Sequence, residues 1–297
     1  MMVVEGPAGN GIGKGVAERL AAQHVHAEHK LFPDGESYIR MPKLPEDDTV
    51  IVVQSTYAPS EKHLMELLFM IDALKENDTE RIVAIVPYLA YARQNKIFRE
   101  GEAASIGTVM NIIGRSGAEA LITVEPHRRD VMSLFGGKHG VVEPSSAFAA
   151  VLAKETKAPF VVATDSGDME RAGKLASLLD CDYDYIEKER DTETGKVRAV
   201  STLSGNVSGK DVVIYDDMIS TGGTIELAAR AAASGGAGKI VAAAPHLIMA
   251  GNAYQRITDA GVSELYGTRT VPFTNAHMVD ISKEIADTVR NVLGPSS

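Results

Sequence analysis

Short runs of consecutive apolar, largely β-branched residues recur along the chain: VIVVQS at 50–55, RIVAIVPYL at 81–89, ALITVE at 120–125, PFVVAT at 159–164, DVVIYDD at 211–217 and KIVAAAPHL at 239–247. Apolar residues run consecutively instead of alternating with polar ones, so each run predicts a strand covered on both faces. Between several of them the apolar positions return with helical spacing, in EKHLMELLFMIDALKEN (61–77), MERAGKLASLLD (169–180) and TIELAARAAASGG (224–236). Strand and helix in alternation predict an α/β chain with mostly parallel sheets.

The pattern also repeats. RIVAIVPYL at 81–89 aligns with KIVAAAPHL at 239–247: a basic residue, then Ile-Val-Ala, then Pro, any residue, Leu. Each copy follows a helical stretch that itself follows a hydrophobic strand, which implies a duplicated α/β domain. The 297 residues suit two domains of roughly 150 each. Glycines and small polar residues concentrate in GGKHGVVEPSS (136–146), so the expected division is 1–142 and 143–297.

Composition narrows the function. With 44% hydrophobic and 24% charged residues the chain reads as an ordinary soluble protein, and a formal charge of −10 excludes a general nucleic-acid binder. Any anionic ligand must meet local positive groups. The single cysteine, Cys181, excludes an internal disulfide and predicts a buried small hydrophobe in a reducing, cytoplasmic setting. MMVVEGPAGNG carries an acid at Glu5 and no apolar run of signal-peptide length. The longest apolar run, from Ile240, is about half a membrane span and contains Pro245 and His246. No membrane association is expected. GPAGNGIGKG (6–15) fits neither the P-loop nor the dinucleotide glycine pattern and predicts a plain strand-to-helix turn.

The chemistry concentrates in VVIYDDMISTGGTI at 212–225. A parallel strand delivers Asp216 and Asp217 to its carboxyl end, the edge at which ligands of open α/β sheets bind. Ser220, Thr221, Gly222, Gly223 and Thr224 then enter a helix, and free amides, small side chains and the helix dipole make such a loop a phosphate cradle. Two carboxylates beside a phosphate repel it unless they face hydroxyls or a divalent cation, and ribose 5-phosphate presents hydroxyls on one edge and phosphate on the other. The corresponding part of the first half, QSTYAPSE (54–61), has neither acid pair nor glycines, so the halves should do different work.

VVIYDDMISTGGTI resembles the ribose 5-phosphate signature shared by phosphoribosyltransferases and ribose-phosphate pyrophosphokinases. Four further stretches resemble the pyrophosphokinase branch, of an archaeal kind: FPDGE (32–36), YARQNK (91–96), VEPHRRD (124–130), and ATDSGDMERA (163–172) together with EKER (187–190). Each alone has an ordinary reading, as a turn, a solvated helix start, a satisfied histidine or a surface charge run. Together they stand in the family's order over most of the chain. The resemblance implies two tandem phosphoribosyltransferase-like (type I) domains, the first on the nucleotide side with oligomer contacts and the second binding ribose 5-phosphate, with ATP between them. It implies adenine held by Phe32, Asp34 and Glu36 near a subunit interface, ATP phosphates on Arg93, Gln94 and Lys96, and Mg2+ at His127 and Asp165. Lys188 and Arg190 become the catalytic cations, and the polar stretch 190–202 a mobile loop. Ribose 5-phosphate falls on Asp216, Asp217 and Ser220 to Thr224. The expected partners are ATP, ribose 5-phosphate and further copies of the same chain.

The implied reaction is transfer of the β,γ-diphosphoryl group of ATP to the anomeric hydroxyl of ribose 5-phosphate. Alternatives are a phosphoribosyltransferase consuming the diphosphate sugar and a non-catalytic regulatory homologue. Asn95, Thr164 and Asp168 depart from the family pattern, and Asp168 adds a carboxylate near the substrate phosphates.

Overall fold

The apolar runs form the buried central strands of two sheets. The computed structural model describes residues 1–43, 48–186, 203 and 205–294, and the backbone alone of 189–190 and 197–198. One sheet contains β1 (Met2–Glu5), β2 (Gln23–His26), β3 (Thr49–Val53), β4 (Arg81–Val86), β5 (Ala120–Val124) and β6 (Lys138–Val142). The other contains β7 (Pro159–Ala163), β8 (Tyr183–Tyr185), β9 (Asp211–Tyr215), β10 (Ile240–Ala243), β11 (Glu264–Gly267) and β12 (His277–Met278). All pairings within them are parallel. The orders are β2-β1-β3-β4-β5-β6 and β8-β7-β9-β10-β11-β12. The second order is the first with every strand advanced by six, which is the duplication read from the sequence repeat: β4 and β10 are the two copies.

Helices cover the sheets: α1 (Ile12–Leu20), α2 (Ser60–Lys75), α3 (Ser105–Ser116), α4 (Ser145–Glu155), α5 (Met169–Leu179), α6 (Gly223–Ser234), α7 (Ala253–Asp259) and α8 (Ser282–Leu293). Central strands such as β3 and β5 are buried at every position, which is why their sequences show no alternation. No helix among the described residues is long and apolar enough to cross a membrane.

The chain divides into Met1–Glu143 with Ile281–Ser297, and Pro144–Asp280. This differs from the expected assignment of all of 143–297 to the second half. The reason is local packing: α8 returns to the first unit, where two glycines receive it. A Cβ on Gly15 of α1 would lie 2.1 Å from Ser282 Oγ, and one on Gly140 of β6 would lie 2.7 Å from Thr288 and 2.8 Å from Val292. Ile285, Ala286 and Val289 complete the buried face of α8. The stretch 136–146 is likewise more than a linker, since Lys138–Val142 forms the edge strand β6. Cys181 is half-buried, a correction to its expected burial, because it follows α5 on the way to the edge strand β8. GPAGNGIGKG is the turn between β1 and α1, as expected.

Gly140→Val forces a clash with α8 and is expected to lower stability by about 1–3 kcal/mol, measured by urea unfolding. Gly107→Ala, in α3 with no atom near the added carbon, should be neutral or slightly stabilising.

Candidate active site

In the second unit the acid pair lies where the sequence placed it, one step beyond β9. The Asp216 amide still pairs with Ala243 O at 3.1 Å, so the first acid is fixed by the sheet itself. Asp216 and Asp217 are 8% and 4% exposed. Asp216 accepts from the Asp217 amide at 2.7 Å and from the Thr164 hydroxyl at 2.9 Å. Thr164, just past the neighbouring β7, also lies 3.2 Å from Asp168. Asp168 pairs in turn with Arg171 one helical turn on. Two of the three family departures are therefore one device: the Thr164 hydroxyl bridges Asp216 and Asp168, and Asp168 meets a cation. Arg171 was not among the expected site residues, although its spacing of three from Asp168 at a helix start was the available signal.

Burial and then the charges of Asp217 and Asp168 hold the Asp216 carboxyl well above the usual carboxylate range. Burial also raises Asp168, opposed by Arg171 and reinforced by Asp217 and Asp165. Asp165 accepts from the Gly167 amide at 2.9 Å. Asp216 and Asp168 thus each sit against the negative charge of neighbouring carboxylates. A hard divalent cation or sugar hydroxyls fit such a cluster, because both bind carboxylate oxygen.

The loop after Asp217 is braced from beneath. Met218–Ile219 pairs in parallel with His246–Leu247, and the Ala250 amide donates to Ser220 O at 2.9 Å. Gly222 caps α6 at φ 75°, a region that favours glycine, and a Cβ there would lie 2.9 Å from Ile257. Thr221, Gly222, Gly223 and Thr224 thus wrap the amino end of α6, whose first-turn amides have no partner within the helix.

In the first unit, Phe32, Asp34 and Glu36 form the tip of an antiparallel hairpin, Glu28–Leu31 against Ser37–Arg40. Asp34 accepts from the Glu36 amide at 3.2 Å, and Gly35 takes φ 93°. Phe32 is 40% exposed and packs edge-on to Tyr38, with Lys30 over both rings. The hairpin root is held to α2, where Ser37 donates to buried Glu66 at 3.2 Å. Gln94 is tied to α3, its side chain accepting from Ser105 at 2.8 Å, while Arg93 and Lys96 are exposed. His127 is exposed just beyond β5. The structure brings Lys96 toward this segment: Arg128 and, more weakly, Lys96 hold Asp130 below its usual value. Buried Glu125 precedes it at φ 33° and pairs with Arg129 at 3.2 Å, a strained position at a strand end. His127 and Asp165 belong to different units. Lys188 and the loop 191–202, apart from 197–198, lie outside the described residues, as does the Arg190 side chain; the Arg190 backbone pairs with Val197.

This geometry meets its counterparts among known proteins. A model of the N-terminal domain of ribose phosphate pyrophosphokinase matches residues 1–117, and one of the phosphoribosyl transferase domain matches residues 146–266. A ribose-phosphate pyrophosphokinase of Sulfurisphaera tokodaii is 44% identical over 288 residues, covering 96% of this chain and 99% of that protein. The chain belongs to the ribose-phosphate pyrophosphokinase family. Another member, from Methanopyrus kandleri, is 35% identical over 99% of this chain and 100% of its own length. The crystal structure of phosphoribosylpyrophosphate synthetase from Mycobacterium smegmatis superposes with a TM-score of 0.85 at 30% identity, covering 98% of each chain. The two-unit α/β architecture and the enzyme class are those of this family.

Because the folded chain holds the Asp216 proton at pH values where the unfolded chain has lost it, the ligand-free fold loses stability as pH rises from the ordinary carboxylate value through the raised folded one. Asp216→Asn removes that loss, since the Thr164 hydroxyl can accept from the new amide and donate to Asp168. We expect the ligand-free variant to gain roughly 0.5–2 kcal/mol at pH 7 to 8 by thermal melting, and to lose its activity.

Proposed function

We propose that the second unit binds ribose 5-phosphate with its terminal phosphate on the amides of Thr221 to Thr224 and its hydroxyls on Asp216 and Asp217. The buried acid pair running directly into a glycine-opened helix start is the observation that carries this reading. In the proposed reaction the anomeric hydroxyl attacks the β-phosphorus of ATP, the bond to the AMP oxygen breaks, and the diphosphoryl group moves as one piece. Negative charge gathers on the β-phosphoryl oxygens and the departing AMP, so the residues serve mainly to position and to compensate charge. Lys188 and Arg190 supply that compensation. Arg93 and Lys96, exposed on the first unit, take the ATP phosphates with Gln94. Phe32, with Asp34 and Glu36, offers an aromatic face and acceptors to adenine.

Asp165 would hold Mg2+ through oxygen, and His127 would contact it directly or through one of its waters. It would neutralise phosphate oxygens and align the diphosphate. Asp168 is kept from repelling the substrate by Arg171. The chain works as a homo-oligomer with the nucleotide site near a subunit interface, in the cytoplasm. The exposed Leu31, Phe32 and Tyr38 of the hairpin support the first of these, and the lone Cys181 the second.

Purified protein given ATP, Mg2+ and ribose 5-phosphate should form AMP and phosphoribosyl pyrophosphate in equal amounts. Turnover only with a nucleobase and ready-made phosphoribosyl pyrophosphate would instead identify a transferase. Gly222→Ala, which strains the cradle, should raise the KM for ribose 5-phosphate at least tenfold. Lys188→Ala should cut kcat by a factor of 100 or more with little change in sugar affinity, about 3 kcal/mol of transition-state stabilisation.

A further inference from the structure

Three side chains that the reaction does not use converge on one face of the first sheet. Glu5 ends β1, an otherwise apolar strand, and is 1% exposed. β2 runs parallel to it with Val3 opposite His24 and Glu5 opposite His26. Side chains two residues apart on a strand share a face, and so do registered neighbours. Glu5, His24 and His26 therefore point the same way, toward the start of α1. One Glu5 oxygen lies 2.9 Å from His24 Nε2, and the other accepts from the Gly11 amide. The two histidine rings stand edge-on at 4.7 Å, and the ligating atoms of all three residues lie within 4.8 Å of one another.

The surroundings are shaped to this carboxylate. A Cβ on Gly9 would lie 2.3 Å from Glu5 and one on Gly13 2.8 Å, so the turn and helix close over Glu5 only because both residues lack a side chain. A buried carboxylate with one amide and one imidazole is incompletely compensated. We propose that Glu5, His24 and His26 form a binding site for a divalent transition metal of the zinc class. Two imidazole nitrogens and one carboxylate oxygen, with a position left for water, match the donor set such an ion takes at about 2.0–2.2 Å. Tetrahedral binding at those lengths puts ligand atoms about 3.4 Å apart, a closure that rotation of the exposed His26 provides. Two imidazoles among three donors favour such an ion over Mg2+, which prefers oxygen ligands.

The site sits at a mechanical junction. The Ala27 amide donates to Glu5 O at 2.9 Å, and the next residue opens the hairpin that carries Phe32. A bound ion would pin the edge strand, the root of that hairpin and the start of α1 together.

The test uses untagged full-length protein, stripped with a chelator and free of nucleotide. Zn2+ followed by calorimetry should bind with one high-affinity equivalent per chain and raise the melting temperature, and Co2+ should give the visible absorption of a four- or five-coordinate site. His26→Ala, at an exposed edge position, should melt with the parent when metal is absent yet bind Zn2+ at least tenfold more weakly. His24→Ala with His26→Ala should remove the cobalt spectrum, while His127→Ala should leave it intact. Failure of the parent to bind, binding unchanged in the double variant, or a cobalt spectrum lost in His127→Ala would each overturn the site.

Discussion

The second unit is organised around negative charge that the fold buries at the end of one strand. Asp216 is fixed by the sheet, next to Asp217 and within reach of Asp168 through one threonine hydroxyl. Burial and the neighbouring carboxylates raise the Asp216 carboxyl above the usual range, and hydroxyls or a divalent cation are the groups that such carboxylates bind. The adjoining helix start offers amides of the opposite polarity, and in the function we propose the two together take a sugar phosphate by its two ends.

The first unit shows what the same scaffold does without that constraint. Gln54 follows β3 as Asp216 follows β9. It is fully buried, but its neutral amide is satisfied: it accepts from Ala8 at 2.8 Å and donates to Glu66 and to His63 O. A carboxamide at the strand end locks the neighbouring turn shut where a carboxylate would leave a demand for cations. The duplicated sheets have thus diverged at a few strand ends, while the strand order has stayed the same. The units differ in which strand ends carry buried charge: Asp216 in one, and Glu5 and Glu125 in the other.

Much of this was legible in the residues. Strands buried on both faces leave an unbroken apolar run, so β3, β4, β5, β7, β9 and β10 could be read to within four residues at their ends, and the acid pair and glycine loop follow from β9. The edge strands β2, β6 and β8 could not, because QHVH, KHGVV and YDY are half-wet and carry no apolar run. The return of α8 to the first unit depends on Gly15 and Gly140 meeting side chains over a hundred residues away, a long-range fit with no local signature. The Thr164 bridge was hidden for the same reason. Thr164 and Asp168 looked like departures from the family until Asp216, some 50 residues on, was placed beside them.

The central claim is that burial beside Asp217 and Asp168 holds the Asp216 carboxyl above the ordinary carboxylate range and that binding of ligand and cation lowers it again. Infrared difference spectroscopy of the carboxyl stretch, with the band assigned through its loss in Asp216→Asn, tests this directly. The ligand-free protein should show a protonated carboxyl persisting well above the ordinary carboxylate range, and ribose 5-phosphate with Mg2+ should abolish it. A ligand-free protein in which that band disappears within the ordinary carboxylate range would contradict the account.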